Sequence, residues 1–328
     1  MNATQLIAWF DAHARELPWR NPGTTPWGVL VSEVMLQQTP VHRVADVWSE
    51  WMARWPTPSS LATERPGTAV RAWGKLGYPR RALRLHAAAL VIAAQYDDDV
   101  PADVDALLSL PGIGAYTARA VAAFGYGQRV PVVDTNVRRV VARAVRGMAE
   151  PAAPSTSRDL ADVDAVLPEA QADRFSAALM ELGAIVCTTR RPRCVDCPVA
   201  GDCAWIRAGK PAATGSGRPV QRFVGTDRQV RGLLLDVLRA TAVPVPRARL
   251  DAVWVDAQQR DRCLGSLLVD GLVEQTGPLG HPPGRVDHPG DPRDARVQQP
   301  AAGLDGAQLA ERQVLAAHRG ASKARVVR

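Results

Sequence analysis

Apolar residues recur at three- and four-residue intervals through most of the first 208 positions, the spacing of helices that bury one face. Residues 2–14 place Leu6, Ile7, Phe10 and Ala14 on one stripe and end at the break Leu17-Pro18-Trp19-Arg20. After the turn-rich NPGTTP, a helix is predicted from Trp27 to about Gln38, and three more over 41–55, 61–73 and 82–95, with breaks at Pro56, Pro58, Pro66 and Pro79. Further helices are predicted over 103–108, 115–124, 136–145, 159–167 and 172–185, the third with Arg138, Arg139, Arg143 and Arg146 at its polar positions. Period-two alternation is almost absent, so this region reads as all-α. A linker follows over 209–226, opening with the flexible GKPAATGSG of 209–217. Residues 227–275 hold three amphipathic helical stretches and end in LGSLLVDGLVEQ. The Gly-, Pro-, Asp- and Arg-rich remainder, 276–328, has little periodicity and is expected to be disordered.

The other elements are arranged around residues 110–140, LPGIGAYTARAVAAFGYGQRVPVVDTNVRRV. Gly112 and Gly114 are expected to permit a tight reversal at positive φ between two helices. Such a turn leaves backbone N–H groups free at a helix N-terminus, where a phosphate fits without any side chain. PGIG alone equally describes a packing corner. Asp134 precedes the helix that starts near Asn136, the position of an N-cap. Glu33, in VLVSEVML, has apolar neighbours on both sides; if they bury it, the lost hydration raises its pKa and keeps a proton available near neutrality. Taken singly, each acid is equally an ordinary helix residue.

Composition narrows the picture. A chain of 328 residues holds about two domains. A net charge of +7 and pI near 9.6 fit a polyanionic partner. Only Lys75, Lys210 and Lys323 are lysines among 40 basic residues, so nearly all the positive charge is arginine. The start of the chain lacks a signal-peptide pattern and no apolar run approaches the roughly 20 residues of a membrane helix. A cytoplasmic, nucleoid-associated protein is therefore expected, with reduced cysteines. Cys187, Cys194, Cys197 and Cys203, spaced C-x6-C-x2-C-x5-C, read as a metal site: a 4Fe-4S cluster or zinc. Their loop carries Arg190, Arg191 and Arg193, a basic surface suited to phosphate. Cys263 reads as a plain buried thiol.

The hairpin with PVVDTNV, the SEVMLQQT helix and the four-cysteine loop occur together in an order that resembles the helix-hairpin-helix DNA glycosylases, most closely the MutY-type adenine DNA glycosylases. The resemblance covers residues 1–207. It implies two lobes, a six-helix barrel over about 22–132 and an iron–sulfur lobe of 1–21 with 133–208. It also implies double-stranded DNA with A:8-oxoguanine or A:G mispairs as substrate, and a monomeric enzyme. Adenine would be flipped from the duplex and hydrolysed from its sugar. Glu33 matches the general acid and Asp134 the carboxylate that stabilises the oxocarbenium-like sugar. Tyr116 and Asn136 match residues that hold water and that carboxylate. Trp19 and Arg20 match pocket positions, and Leu36, Gln37, Gln38 and Tyr78 match groups that fill the vacated stack and probe the opposite base. Gly112 and Gly114 would cradle a phosphate, and Arg190 and Arg191 would contact the strand. Strand-cleaving relatives carry lysine where this chain has Tyr116, which implies a monofunctional glycosylase.

Three departures stand out. Ala177 replaces a family acid or amide at the adenine edge, and Pro79 replaces a common second tyrosine. The Nudix-like C-terminal domain of many relatives is not evident; residues 227–275 resemble a small winged helix, or equally a helical cap. An endonuclease III-type or thymine-mismatch glycosylase, and a non-catalytic iron–sulfur DNA-binding protein, are the competing readings.

Overall fold

The computed structural model describes residues 1–213 and 223–276 together with the backbone of 323–326. Its elements in chain order are α1 (Ala3–His13), α2 (Pro26–Leu36), α3 (Val41–Arg54), α4 (Pro58–Ala62), α5 (Pro66–Ala72), α6 (Arg80–Gln95), α7 (Val104–Ser109), α8 (Ala115–Tyr126), α9 (Thr135–Ala144), α10 (Thr156–Asp164), α11 (Ala172–Ile185) and α12 (Ala204–Arg207), then α13 (Asp227–Arg239), β1 (Val245–Pro246), α14 (Arg247–Asp251), α15 (Ala257–Val269), β2 (Val273–Thr276) and β3 (Lys323–Val326). No described helix is long and apolar enough to cross a membrane.

Local chemistry sets most boundaries. Asn2, Thr25, Asp103 and Asp134 each accept a backbone N–H at a helix start, and Pro26 occupies the first turn of α2, where its missing donor costs nothing. The helix expected over 61–73 is instead two, α4 and α5. Pro66 cannot donate within a continuing helix and starts a new one.

The chain divides into two compact units, one of residues 1–64 and 84–219 and the other of 65–83 and 220–328. In the first, α2 packs along α8, and their axes approach where Gly125 meets Pro26: an added Cβ there would lie 3.2 Å from the proline's Cβ. Trp48 donates to the Gly28 carbonyl at 2.9 Å and Trp27 to that of Trp55 at 3.0 Å, which ties α2 to α3. A separate core joins Leu6 and Ile7 of α1 to Val137, Val140 and Val141 of α9 and to Phe175, Leu179 and Leu182 of α11. The N-terminal helix is thus packed against segments more than 120 residues later in the chain.

In the second unit, α13 packs on α15 through buried Val230, Leu234, Leu238, Leu264 and Leu267. The three strands form an antiparallel sheet in the order β1-β3-β2. The sequence α13-β1-α14-α15-β2-β3 is a winged-helix arrangement rather than a purely helical cap. Disorder from residue 276 onward is corrected at two points. Thr276 closes β2, and Lys323–Val326 pairs with both β1 and β2, its backbone groups satisfied by the sheet. The rest of that expectation lies outside the described residues.

Candidate active site

Glu33 and Asp134 line a single cavity of about 1340 Å³ in the first unit, together with Trp19, Arg20, Leu36, Gln37, Gln38, Tyr116, Asn136 and Ala177. Ten positions marked by sequence therefore share one space. Glu33 is 5% exposed on α2, and its flanking Val31, Val34 and Met35 are buried with it. Burial pushes its carboxyl from an ordinary 4.5 up to about 7; the Tyr116 hydroxyl donates to it and opposes the rise, Asp134 adds to it, and Arg20 again opposes it. Tyr116 itself is driven well above the usual phenol value by burial and by both carboxylates, so it stays a donor.

Asp134 is both an N-cap and a cavity residue. Its Oδ1 accepts the Val137 N–H at 2.7 Å and its Oδ2 accepts the Asn136 side-chain amide at 2.7 Å. Burial raises its pKa, while these hydrogen bonds and Arg139 hold the rise back. Asn136 is oriented in turn: its Oδ1 accepts from Arg139 at 2.9 Å, and Arg139 also donates to the carbonyls of Gly183 and Cys187. A hydrogen-bonded line thus runs from Asp134 to the cysteine loop.

The hairpin differs in one detail from expectation. Gly112 takes φ +79, but Gly114 is extended at φ −99 and caps α8. An N-cap needs β-region backbone, so only Gly112 uses glycine's left-handed freedom. Neither glycine lines the cavity. Gln38 and Tyr78 hold φ values of +55 and +46, a strained region for side-chain-bearing residues that clusters at functional sites. Gln38 lies at the cavity; Tyr78 belongs to the second unit and is exposed.

Cys187, Cys194, Cys197 and Cys203 line a second, small cavity with Val140, Arg143 and Trp205. Among the described residues no three acidic, histidine or cysteine side chains gather tightly enough for a single ion. Burial raises the Cys187 thiol, and it raises Cys197 to about 11 with help from the other three thiols. Arg143, expected on a polar face, is instead buried, 3% exposed. Its guanidinium donates to the carbonyls of Ala149, Thr188 and Thr189 and reaches Cys187 Sγ at 3.4 Å, so it organises the loop from inside. Arg190 and Arg191 are exposed on that loop.

The model of the HhH-GPD superfamily base excision DNA repair proteins matches residues 31–163, which include Glu33, the hairpin and Asp134. An adenine DNA glycosylase of Mycolicibacterium smegmatis is 63% identical over 278 residues, covering 84% of this chain and 94% of that protein. The chain belongs to the adenine DNA glycosylases. Among solved structures, a thermostable thymine-DNA glycosylase aligns over 63% of this chain and 95% of its own, with a TM-score of 0.58 at 24% identity. An endonuclease III trapped as a covalent intermediate with DNA aligns over 64% and 95%, with a TM-score of 0.54 at 21% identity. Both likenesses are of fold: the helix-hairpin-helix glycosylase architecture is the shared scaffold, and it does not choose between bases.

One feature of this glycosylase's cavity has no motif to announce it. Glu181 on α11 has no solvent exposure, and it accepts Arg15 Nε at 2.6 Å, Arg15 Nη2 at 2.9 Å and Arg20 Nη2 at 3.0 Å. Burial alone would raise its pKa, but Arg15 and Arg20 outweigh that and hold it below the usual carboxylate value. Arg20 is thereby fixed at the cavity with its Nη1 buried and, among the described residues, without a hydrogen-bond partner. An acid four residues after Ala177, within the otherwise apolar run 177–185, was the available signal, but its arginine partners lie more than 160 positions away.

Proposed function

We propose that the chain hydrolyses the N-glycosidic bond of adenine mispaired with 8-oxoguanine or guanine in double-stranded DNA, as a monomeric, monofunctional glycosylase of base excision repair. The observation that carries this is the shared cavity of Glu33 and Asp134, with Glu33 titrating near neutrality. The extruded adenine leaves well only once its imidazole ring is protonated. Glu33, half-protonated near pH 7, gives that proton. As the bond from sugar to base breaks, positive charge grows on the sugar, and the Asp134 carboxylate, held by Val137 and Asn136, stabilises it until water adds. Tyr116 holds Glu33 in place, and the free Nη1 of Arg20 offers the purine a donor. Trp19 walls the pocket, while Leu36, Gln37 and Gln38 enter the vacated stack and Tyr78 probes the opposite base. Gly112, Gly114, Arg190 and Arg191 hold the strand.

In the same reading, residues 1–208 are the excising body, 209–226 a linker and 227–275 an accessory module, in the DNA-bearing cytoplasm. Four thiols around one cavity with Arg143 against them fit a 4Fe-4S cluster, which would fix the basic loop in shape; zinc is the alternative. No lysine lines the described catalytic cavity, which supports hydrolysis without a Schiff base.

The test is excision from duplexes carrying A, G or T opposite 8-oxoguanine, guanine or cytosine, with and without borohydride. Adenine release opposite 8-oxoguanine, lost in Glu33→Gln and giving no covalent trap, is expected. Preferential release of thymine or efficient trapping would overturn the assignment. Brown, iron-containing protein would support the cluster, and colourless, zinc-containing protein would refute it.

A further inference from the structure

Three aromatic rings and two guanidinium groups alternate within the second unit. The guanidinium of Arg81 lies 5.2 Å from the centre of the Trp73 ring and 5.6 Å from that of Tyr78. The guanidinium of Arg228 lies 5.9 Å from Tyr78 and 5.4 Å from Phe223. The inner end of this ladder is closed, since Trp73 is fully buried, whereas Tyr78 is 45% and Phe223 49% exposed.

The protein fixes the ladder firmly. Trp73 and Arg81 both donate to the Gly77 carbonyl, at 2.9 and 3.0 Å, which clamps the turn that carries Tyr78. Tyr78 sits at φ +46 immediately before Pro79, a conformation the surroundings must hold against its own preference. Arg239 donates to the Gly74 carbonyl at 2.7 Å, and Arg228 donates to the Tyr78 hydroxyl at 3.1 Å. These two arginines are eleven residues apart on α13, close to three helical turns, so one face of that helix grips the turn at both ends. The neighbouring carboxylate, Asp227, is occupied by Arg262 and Gln259. Among the described residues no carboxylate pairs with Arg228. Its charge is thus left without an acidic partner there, while its guanidinium lies against both Tyr78 and Phe223.

We propose that Tyr78, Arg228 and Phe223 form a stacking platform for an unpaired base of bound DNA, with Arg228 as the residue that sets its grip. Exposed rings and planar cations stack on nucleobases of any sequence, and a guanidinium adds attraction for the adjoining phosphate. The proposal rests on the reading that this glycosylase extrudes adenine, because extrusion leaves the opposite base without its partner. It gives the C-terminal segment a direct role in DNA recognition through α13 rather than through its sheet.

The test measures binding of the full chain, with Arg228→Ala, Arg228→Lys and Phe223→Ala, to a fully paired duplex and to the same duplex with one base unpaired opposite an uncleavable abasic analogue. Stacking of one base predicts a roughly 5- to 100-fold loss for Arg228→Ala on the unpaired-base duplex. On the paired duplex a smaller, salt-dependent loss is expected, and lysine restores that part alone. Phe223→Ala, changed at an exposed ring that leaves the fold intact, weakens only the unpaired-base duplex. Equal losses on both duplexes that lysine fully repairs would reduce Arg228 to a phosphate contact and overturn the platform, as would wild-type binding by both alanine variants. Binding is read without excision, so loss of the platform with adenine release intact separates this proposal from the assigned reaction.

Discussion

Two buried glutamates line the same cavity from different helices, and their pKa values are shifted in opposite directions. Glu33 on α2 and Glu181 on α11 are 5% and 0% exposed. Dehydration acts on both in the same direction, yet Glu33 is raised to about 7 and Glu181 is lowered. Partners decide the outcome. Glu181 accepts three guanidinium hydrogen bonds and a backbone N–H from Arg15 and Arg20, whereas Glu33 receives a phenol and faces the negative Asp134. One carboxyl can thus hold a proton near neutrality, and the other is a fixed counter-ion that aims Arg20. The cysteine loop shows the same principle: burial raises Cys187, and Arg143 opposes it.

The contrast can be broken from either wall. Glu181→Ala removes the anion beneath two arginines and is expected to cost about 3–5 kcal/mol of unfolding free energy, measured by denaturant titration. A loss below about 1 kcal/mol would mean Arg15 and Arg20 are satisfied without it. Glu33→Gln should act in the opposite sense. The folded pKa near 7 exceeds the ordinary 4.5, so ionisation penalises the native state as pH rises between those values and the full penalty stands above about 7. The amide escapes it, so the variant should be more stable by about 3 kcal/mol at pH 8 and nearly unchanged at pH 4. Equal stability at both pH values would remove the dehydration argument. The smallest effect concerns the line that steadies Asp134. A Cβ on Gly183 would lie 2.6 Å from the Asn136 Cβ and 2.9 Å from its carbonyl oxygen. Gly183→Ala should therefore cost about 1–3 kcal/mol and slow excision by displacing Asn136.

Much of this was legible in the sequence. The limits of α11 agree with the expected 172–185 because its apolar spacing is uninterrupted and nothing within it breaks a helix. Glu33, Asp134, Tyr116 and Asn136 were legible because each belongs to a local motif, and the fold then gathered those motifs into one cavity. Partners distant in the chain were not legible. Arg15, just beyond α1, meets Glu181 on α11, and Tyr78 and Arg228 are 150 positions apart. The strand that completes the winged helix was missed because β1 is two residues long and β3 returns from beyond a stretch without periodicity. Arg143 was misread because an arginine at a polar position is ordinarily solvated, whereas here loop carbonyls take its donors.

The central claim is that Glu33 delivers the proton, and its most direct test is the rate of adenine release from an A:8-oxoguanine duplex under single-turnover conditions across pH 5.5 to 9. A carboxylic acid titrating at about 7 predicts a plateau on the acid side and a fall of about tenfold per pH unit above it, with Glu33→Gln slower by about 10²–10⁴-fold throughout. A rate that holds level or climbs between pH 6 and 8.5, or a glutamine variant that keeps wild-type speed, would contradict it.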